Sequence, residues 1–206
     1  MAGKVLLIRH GDTGIEYRGR YIGSTDVPLS PVGRRQALLL TGPLSEEKAG
    51  KYLCSPLRRA RETFQAALNG SGGAPELDSG LREVDFGAWE GKTFAEIESD
   101  DPEAVSAWAA QQPDFAFPGG EGIAAFWQRV AAAGKKIADA PCETVAVFTH
   151  GGVIRALICH YLALDISHHL YFEIKPASLT TLLLHNGRGV LVGLNDRCHL
   201  GELRHG

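Results

Sequence analysis

Val5-Leu6-Leu7-Ile8 runs directly into Arg9-His10-Gly11, and Thr144-Val145-Ala146-Val147-Phe148 runs directly into Thr149-His150-Gly151-Gly152. Short apolar runs without polar alternation mark strands covered on both faces, as in a parallel sheet flanked by helices. Each run stops at a histidine followed by glycine. Around them, strands alternate with helices. Ser30-Pro31 is an N-cap with proline in the first turn, opening a helix through about Leu40. Tyr52–Cys54 is a short strand, and a basic helix follows from Leu57 to about Leu68. Gly122–Ala140 has the apolar spacing and alanine content of a long helix, and Val153–Leu164 reads as another. Ser178–Leu184 and Val190–Leu194 are β-rich and separated by Asn186-Gly187-Arg188-Gly189, a hairpin signal. The expected fold is α/β, with three layers: a mostly parallel central sheet flanked by helices, and an antiparallel hairpin near the C-terminus.

In such sheets ligands bind beyond the carboxyl ends of the strands. With the two runs parallel, His10 and His150 project from one edge, and the glycines after them let a ligand approach the backbone. The helix after Gly152 aims free N–H groups at the same space, which favours an anion. Either histidine alone reads equally well as a strand cap. Two of them beside Arg9 favour a site. Ser55-Pro56-Leu57-Arg58-Arg59-Ala60-Arg61-Glu62-Thr63 again follows a strand and brings arginines to the start of a helix. Guanidinium groups bind phosphate bidentately and keep their charge, although Arg58 and Arg61 fit a solvated helix face. Leu81-Arg82-Glu83-Val84-Asp85-Phe86-Gly87 offers Glu83 and Asp85 in an apolar setting, suited to protonating a leaving alcohol. A surface salt bridge to Arg82 or Arg61 explains Glu83 as well.

The chain has 206 residues, 44% hydrophobic and 22% charged, which fits one soluble domain spanning 1-206 and excludes a disordered or fibrous protein. The net charge of -3 makes a nucleic-acid or anionic-membrane partner unexpected. The four cysteines form no C-x-x-C pair, which suits idle thiols in a reducing compartment. The first apolar run is too short for a signal sequence, and no run approaches the ~18 residues of a membrane span. A cytoplasmic location is expected. Asn69–Gly73 reads as a loop, Leu81–Trp89 as mixed in character, and the chain from there to Glu121 as irregular or weakly helical, bounded by Pro102, Pro113 and Pro118.

Four blocks, in order, resemble the histidine phosphatase superfamily, the phosphoglycerate-mutase-like proteins. They are Leu7-Ile8-Arg9-His10-Gly11-Asp12-Thr13, Ser55-Pro56-Leu57 through Thr63, Leu81-Arg82-Glu83 through Trp89-Glu90-Gly91, and Thr149-His150-Gly151-Gly152-Val153-Ile154-Arg155. Gly19-Arg20, Thr25 to Ser30 and Pro118-Gly119-Gly120-Glu121 are weaker matches. The resemblance implies that His10 accepts the phosphoryl group and that Arg9, Arg59 and protonated His150, with Gly151, clamp the phosphate. Glu83 would be the proton donor. It implies no metal and no cofactor. Glu16 stands where the family has asparagine, and Gly122 where serine is usual, which bears on substrate fit.

Within the resemblance, the alternatives are a phosphatase, a phosphoglycerate mutase and a phosphate-binding module without catalysis. The lid-like insertion from about 85-121 holds one base, Lys92, against nine acids, which disfavours the bisphosphate a mutase must hold. A metal-independent phosphomonoesterase acting on a small phosphorylated metabolite is therefore expected. The aromatics of this segment (Phe86, Trp89, Phe94, Trp108, Phe115 and Phe117) read mostly as core, the remainder as a pocket wall for an organic ring. The L-R-E-x-D-F-G-x-W-E-G block, length and compact lid resemble the α-ribazole-5'-phosphate phosphatases of cobalamin synthesis. His160, His168, His169, His185, His199 and His205 lack the spacing of a metallohydrolase and read as surface or core residues.

Overall fold

The computed structural model describes residues 1–71, 73–110, 112 and 114–205, with the side chains of Arg204 and His205 outside that description. Gly72 of the expected loop, Pro113 and the His205 imidazole thus lie outside the described residues. A six-stranded sheet is built from β1 (Lys4–Arg9), β2 (Lys51–Cys54), β3 (Glu76–Leu77), β4 (Thr144–Thr149), β5 (Leu179–His185) and β6 (Arg188–Asp196). The order across it is β3-β2-β4-β1-β5-β6. The first four strands run parallel, whereas β5 is antiparallel to β1 and β6 to β5. This is the expected α/β sheet with its C-terminal hairpin. The hairpin turns on Asn186 and Gly187, both with positive φ (51° and 78°), as a two-residue turn matched to strand twist requires.

The alternation of side chains along β1 makes the layers. Leu6 and Ile8 pack with Phe64, Ala67, Ala146 and Phe148 under α1 (Pro31–Leu39), α2 (Thr41–Glu47) and α3 (Arg58–Leu68). Val5 and Leu7 point the other way, into a cluster with Val130, Ile137, Val147 and Leu157. Over that face lie α4 (Phe94–Asp100), α5 (Pro102–Ala109), α6 (Ile123–Ala138) and α7 (Gly151–Leu162). Val5 through Ile8 are all fully buried, which is why no polar residue interrupts the run. Ser30 caps α1 as expected, its Oγ accepting from the Gly33 N–H at 3.0 Å.

Several elements differ from the sequence reading. The 94–109 stretch is two helices; Thr93 and Glu96 close a capping box on α4, and Asp101 caps α5 ahead of Pro102. The strand β3 pairs only with β2 and is too short to carry a periodic signal. The helix expected from Val153 begins two residues earlier, at Gly151, with His150 as its N-cap. No helix among the described residues is long and apolar enough to cross a membrane.

Candidate active site

Parallel pairing of β1 and β4 aligns Arg9 with Thr149, so His10 and His150 leave the sheet side by side. The His10 N–H donates to the Thr149 carbonyl at 3.0 Å, and the two ring centroids are 5.2 Å apart. β2 brings the third contribution. Its Cys54 pairs with Phe148, and the next residue, Ser55, shares a 2.7 Å hydrogen bond with His150 Nε2. His10 Nδ1 lies 2.8 Å from the Gly11 carbonyl oxygen. That oxygen only accepts, so Nδ1 carries the hydrogen and Nε2 presents its lone pair. Burial, and then Arg59 and Arg9, push His10 well below its ordinary 6.5. Burial, followed by Arg59, His10 and Arg9, does the same to His150. Both shifts favour the neutral imidazole in the free pocket.

Arg59, 1% exposed, is held by the loop before α1: Nη1 donates to Thr25 O at 2.9 Å and Nη2 to Gly23 O at 2.7 Å. Arg9 donates from Nη1 to the Ile174 carbonyl. The Nε atoms of both arginines and Nδ1 of His150 are buried with no protein partner. Burial pushes Arg9 down to about 10, opposed by Glu83, so it stays cationic at neutral pH. Burial also lowers Arg59, against Glu83, Asp26 and Glu90. Three buried nitrogens, two of them cationic, around a neutral imidazole lone pair can hold a phosphoryl group and receive it.

Glu83 completes the group. Its Oε2 accepts from the Gly152 N–H at 2.9 Å, at the start of α7, and its Oε1 from the Val84 N–H at 3.1 Å. The helix terminus thus holds a carboxylate of the chain itself. A Cβ on residue 152 would come within 2.4 Å of Glu83 Oε1, so only glycine lets the carboxylate sit there. Asp85 does not share the site: its Oδ1 accepts from Ser24 Oγ at 2.9 Å and from the Gly87 N–H at 3.0 Å, tying a turn. Arg58 pairs with Glu62 at 2.6 Å on an exposed face, the solvated reading.

Two cavities meet at Arg9, Gly19 and Arg20. One, of about 400 Å³, runs past Glu83, Gly151, Gly152 and Arg155 beneath Trp108 and Trp127. The other, of about 520 Å³, holds His10 among Arg18, Lys175 and Arg197. Glu16 is exposed and lines neither, so its carboxylate does not face the phosphate position. Of the lid aromatics, Trp89, Phe115 and Phe117 are buried, Phe86 and Trp108 line the Glu83 cavity, and Phe94 is 42% exposed.

Several contributors escaped the sequence reading. Ser55 orients His150, and Thr63 Oγ1 accepts the Gly11 N–H at 3.1 Å. Arg129 on α6 forks onto Glu121 (2.6 and 2.8 Å) and donates to the carbonyls of Gly80, Arg82 and Glu83, clamping the segment that carries Glu83. Glu90 accepts from the N–H groups of Gly23, Ser24 and Phe86, and so steadies the loop whose carbonyls hold Arg59. Ser55, Thr63, Glu90 and Glu121 stand inside the quoted blocks, a signal that was available. Arg129 had none. Among the described residues, no three His, Cys, Asp or Glu side chains cluster as metal ligands would.

With this edge in place the chain belongs to the histidine phosphatase superfamily (branch 1), whose family model matches residues 5–197. It is a phosphoric monoester hydrolase that takes a small phosphorylated substrate. The chain is 31% identical over 97% of its length to phosphoserine phosphatase 1 of Hydrogenobacter thermophilus, covering 95% of that protein. It is 29% identical to the adenosylcobalamin/alpha-ribazole phosphatase of Salmonella typhimurium, over 94% of this chain and 96% of that one. The crystal structure of the alpha-ribazole phosphatase from Shigella flexneri superposes with a TM-score of 0.86 at 27% identity, covering 94% of this chain and 96% of that one.

Proposed function

We propose that residues 1-206 act as one catalytic domain, with 85-121 as its lid, that hydrolyses phosphomonoesters through phosphohistidine at His10. His10 Nε2 attacks phosphorus in line while the bond to the leaving oxygen breaks, and a proton from the Glu83 carboxyl converts that oxygen to the alcohol. Arg9, Arg59 and the Gly151 end of α7 balance charge on the equatorial oxygens. With the Ser55 hydroxyl donating to Nε2 of His150, Nδ1–H of that neutral ring becomes a further donor to phosphate. Glu83, now a carboxylate, takes a proton from the water that attacks phosphohistidine, which releases inorganic phosphate and restores neutral His10. No step uses a metal. The observation that carries this reading is the His10 Nδ1–Gly11 contact of 2.8 Å, which leaves the Nε2 lone pair free on a ring that feels Arg59 and Arg9.

The substrate favoured is α-ribazole 5'-phosphate, handled in the cytoplasm. Supporting this are the alpha-ribazole phosphatase names among the relatives and the aromatic wall beside Glu83. Phosphoserine is a second reading, favoured by the phosphoserine phosphatase name among the relatives and by Arg155 in the Glu83 cavity, which suits a carboxylate. Phosphate release by wild type and His10→Ala is the test, measured in excess EDTA on p-nitrophenyl phosphate, α-ribazole 5'-phosphate, phosphoserine and 3-phosphoglycerate. Release that needs His10 and favours α-ribazole 5'-phosphate supports the reading. Preference for phosphoserine selects the second. Formation of 2-phosphoglycerate faster than phosphate release makes the protein a mutase, and equal turnover by His10→Ala overturns the mechanism.

A further inference from the structure

Beyond the Glu83 cavity lies a separate chamber of about 410 Å³. The two share Trp108, Ile123, Trp127, His169 and Leu170 as walls. The near cavity carries Arg9, Arg20, Glu83 and Arg155. Among the described residues, the far chamber is lined by no Asp, Glu, Lys or Arg side chain. In-line displacement sends the leaving group away from the nucleophile. His10 lines the adjoining cavity, and Glu83, the group that meets the leaving oxygen, lines this one. A substrate with its phosphate on Arg9 and its scissile oxygen at Glu83 therefore projects the rest of itself toward the walls that the two cavities share.

An ammonium or carboxylate carried into that space loses its hydration and finds no opposite charge, whereas a flat ring gains aromatic contact. One lining group with a fixed polar atom belongs to both cavities. His169 stacks edge-on against Trp127, with centroids 5.4 Å apart and planes at 72°. Its Nδ1 is 2.7 Å from the Ile166 carbonyl, so Nδ1 carries the hydrogen and Nε2 is left as an acceptor. Half-burial lowers its pKa, which keeps that acceptor available at neutral pH.

We infer that the far chamber seats an uncharged, ring-bearing leaving group against Trp127, and that His169 Nε2 is the specificity-determining acceptor for a hydroxyl or ring N–H on it. The inference rests on the phosphomonoesterase reading and deepens it.

The test compares KM and kcat for α-ribazole 5'-phosphate, which carries hydroxyl donors, 1-naphthyl phosphate, which carries none, and phosphoserine. In the wild type, 1-naphthyl phosphate should have a KM about tenfold below that of phosphoserine. Trp127→Ala should raise the naphthyl KM about tenfold and leave the phosphoserine KM within about twofold. His169→Phe should raise the KM ratio of α-ribazole 5'-phosphate to 1-naphthyl phosphate about fivefold at similar kcat, and His169→Gln, which keeps an acceptor, should restore it. Ala124→Lys, on an exposed position of α6 lining the chamber, adds a cation without opening the core and should lower the phosphoserine KM. A wild type that prefers phosphoserine, or a His169→Phe ratio equal to wild type, overturns the inference. His10-dependent release of p-nitrophenol, measured alongside, reports on the phosphatase reading separately.

Discussion

His10 and His150 stand one residue past the last paired positions of β1 and β4, so their separation is set by sheet register. Trp108 and Phe117 reach the neighbouring cavity from a segment that contributes no strand to the sheet. That segment is held by rings packed edge to face: Trp89 with Phe117 at 5.2 Å, Trp89 with Trp108 at 6.0 Å, and Tyr21 with Phe86 at 5.0 Å. Hydrogen-bonded ladders fix the register of the residues that leave them. Aromatic contacts, worth about 0.5–1.5 kcal/mol each beyond burial, tolerate rearrangement. In the proposed mechanism that contrast gives the chemistry to the sheet edge and the choice of ester to the 85–121 segment.

Changes at the edge should therefore strike kcat, and changes in the lid KM. His10→Ala has the largest expected effect, a loss of about 10⁴-fold or more in kcat, equal to roughly 5.5 kcal/mol of barrier, measured by phosphate release. Arg59→Lys should cost about 10²–10³-fold, because a lysine cannot span the Gly23 and Thr25 carbonyls and still present a planar donor to phosphate. Glu83→Gln should slow an alkyl phosphate by about 10²–10⁴-fold and p-nitrophenyl phosphate far less, since the better leaving group needs no proton. Equal losses on both esters would assign the proton to another group. Trp108→Ala, in the lid, should raise the KM of ring-bearing esters by about tenfold with kcat nearly unchanged. A fall in kcat as large as that of Arg59→Lys would erase the distinction between edge and lid.

The pH profile sharpens the same contrast. In the proposed mechanism the reactive form of His10 is neutral, and burial with two arginines holds its pKa well below 6.5. The acid limb of kcat/KM that reports His10 should then fall well below pH 6.5. A limb centred at pH 6.5 would mean that the imidazole is more solvated than the edge allows. Burial of a neutral imidazole also ties stability to pH: the contribution of His10 and His150 is present above about 6.5 and is lost as pH falls toward their lowered values.

The same contrast governs what could be read from the sequence. β1, β4 and the Asn186-Gly187 hairpin are written in contiguous residues, and so are Arg9, His10, Arg59, Glu83, His150 and Gly151, each a short step from a strand or helix end. The lid was legible only as composition, because its two helices of 7 and 8 residues are too short for a clear period and depend on capping by Thr93 and Asp101. Arg129 sits 46 residues from the Glu83 carbonyl it holds, and nothing local marks that partnership. His169 was read as a bland histidine because its role depends on a chamber shared by α5, α6 and the 166–171 turn. Charge counting took in only the lid: Arg18, Arg20, Lys175 and Arg197, from other parts of the chain, line the space beside His10.

Trapping the intermediate tests phosphoryl transfer through His10 most directly. Wild-type protein mixed with substrate carrying radiolabelled phosphate, and quenched in base within the first turnover, should hold label approaching one phosphate per chain. That label should be acid-labile, base-stable and located by peptide mapping on His10. Full turnover with no labelled protein, or label on any other residue, would contradict it.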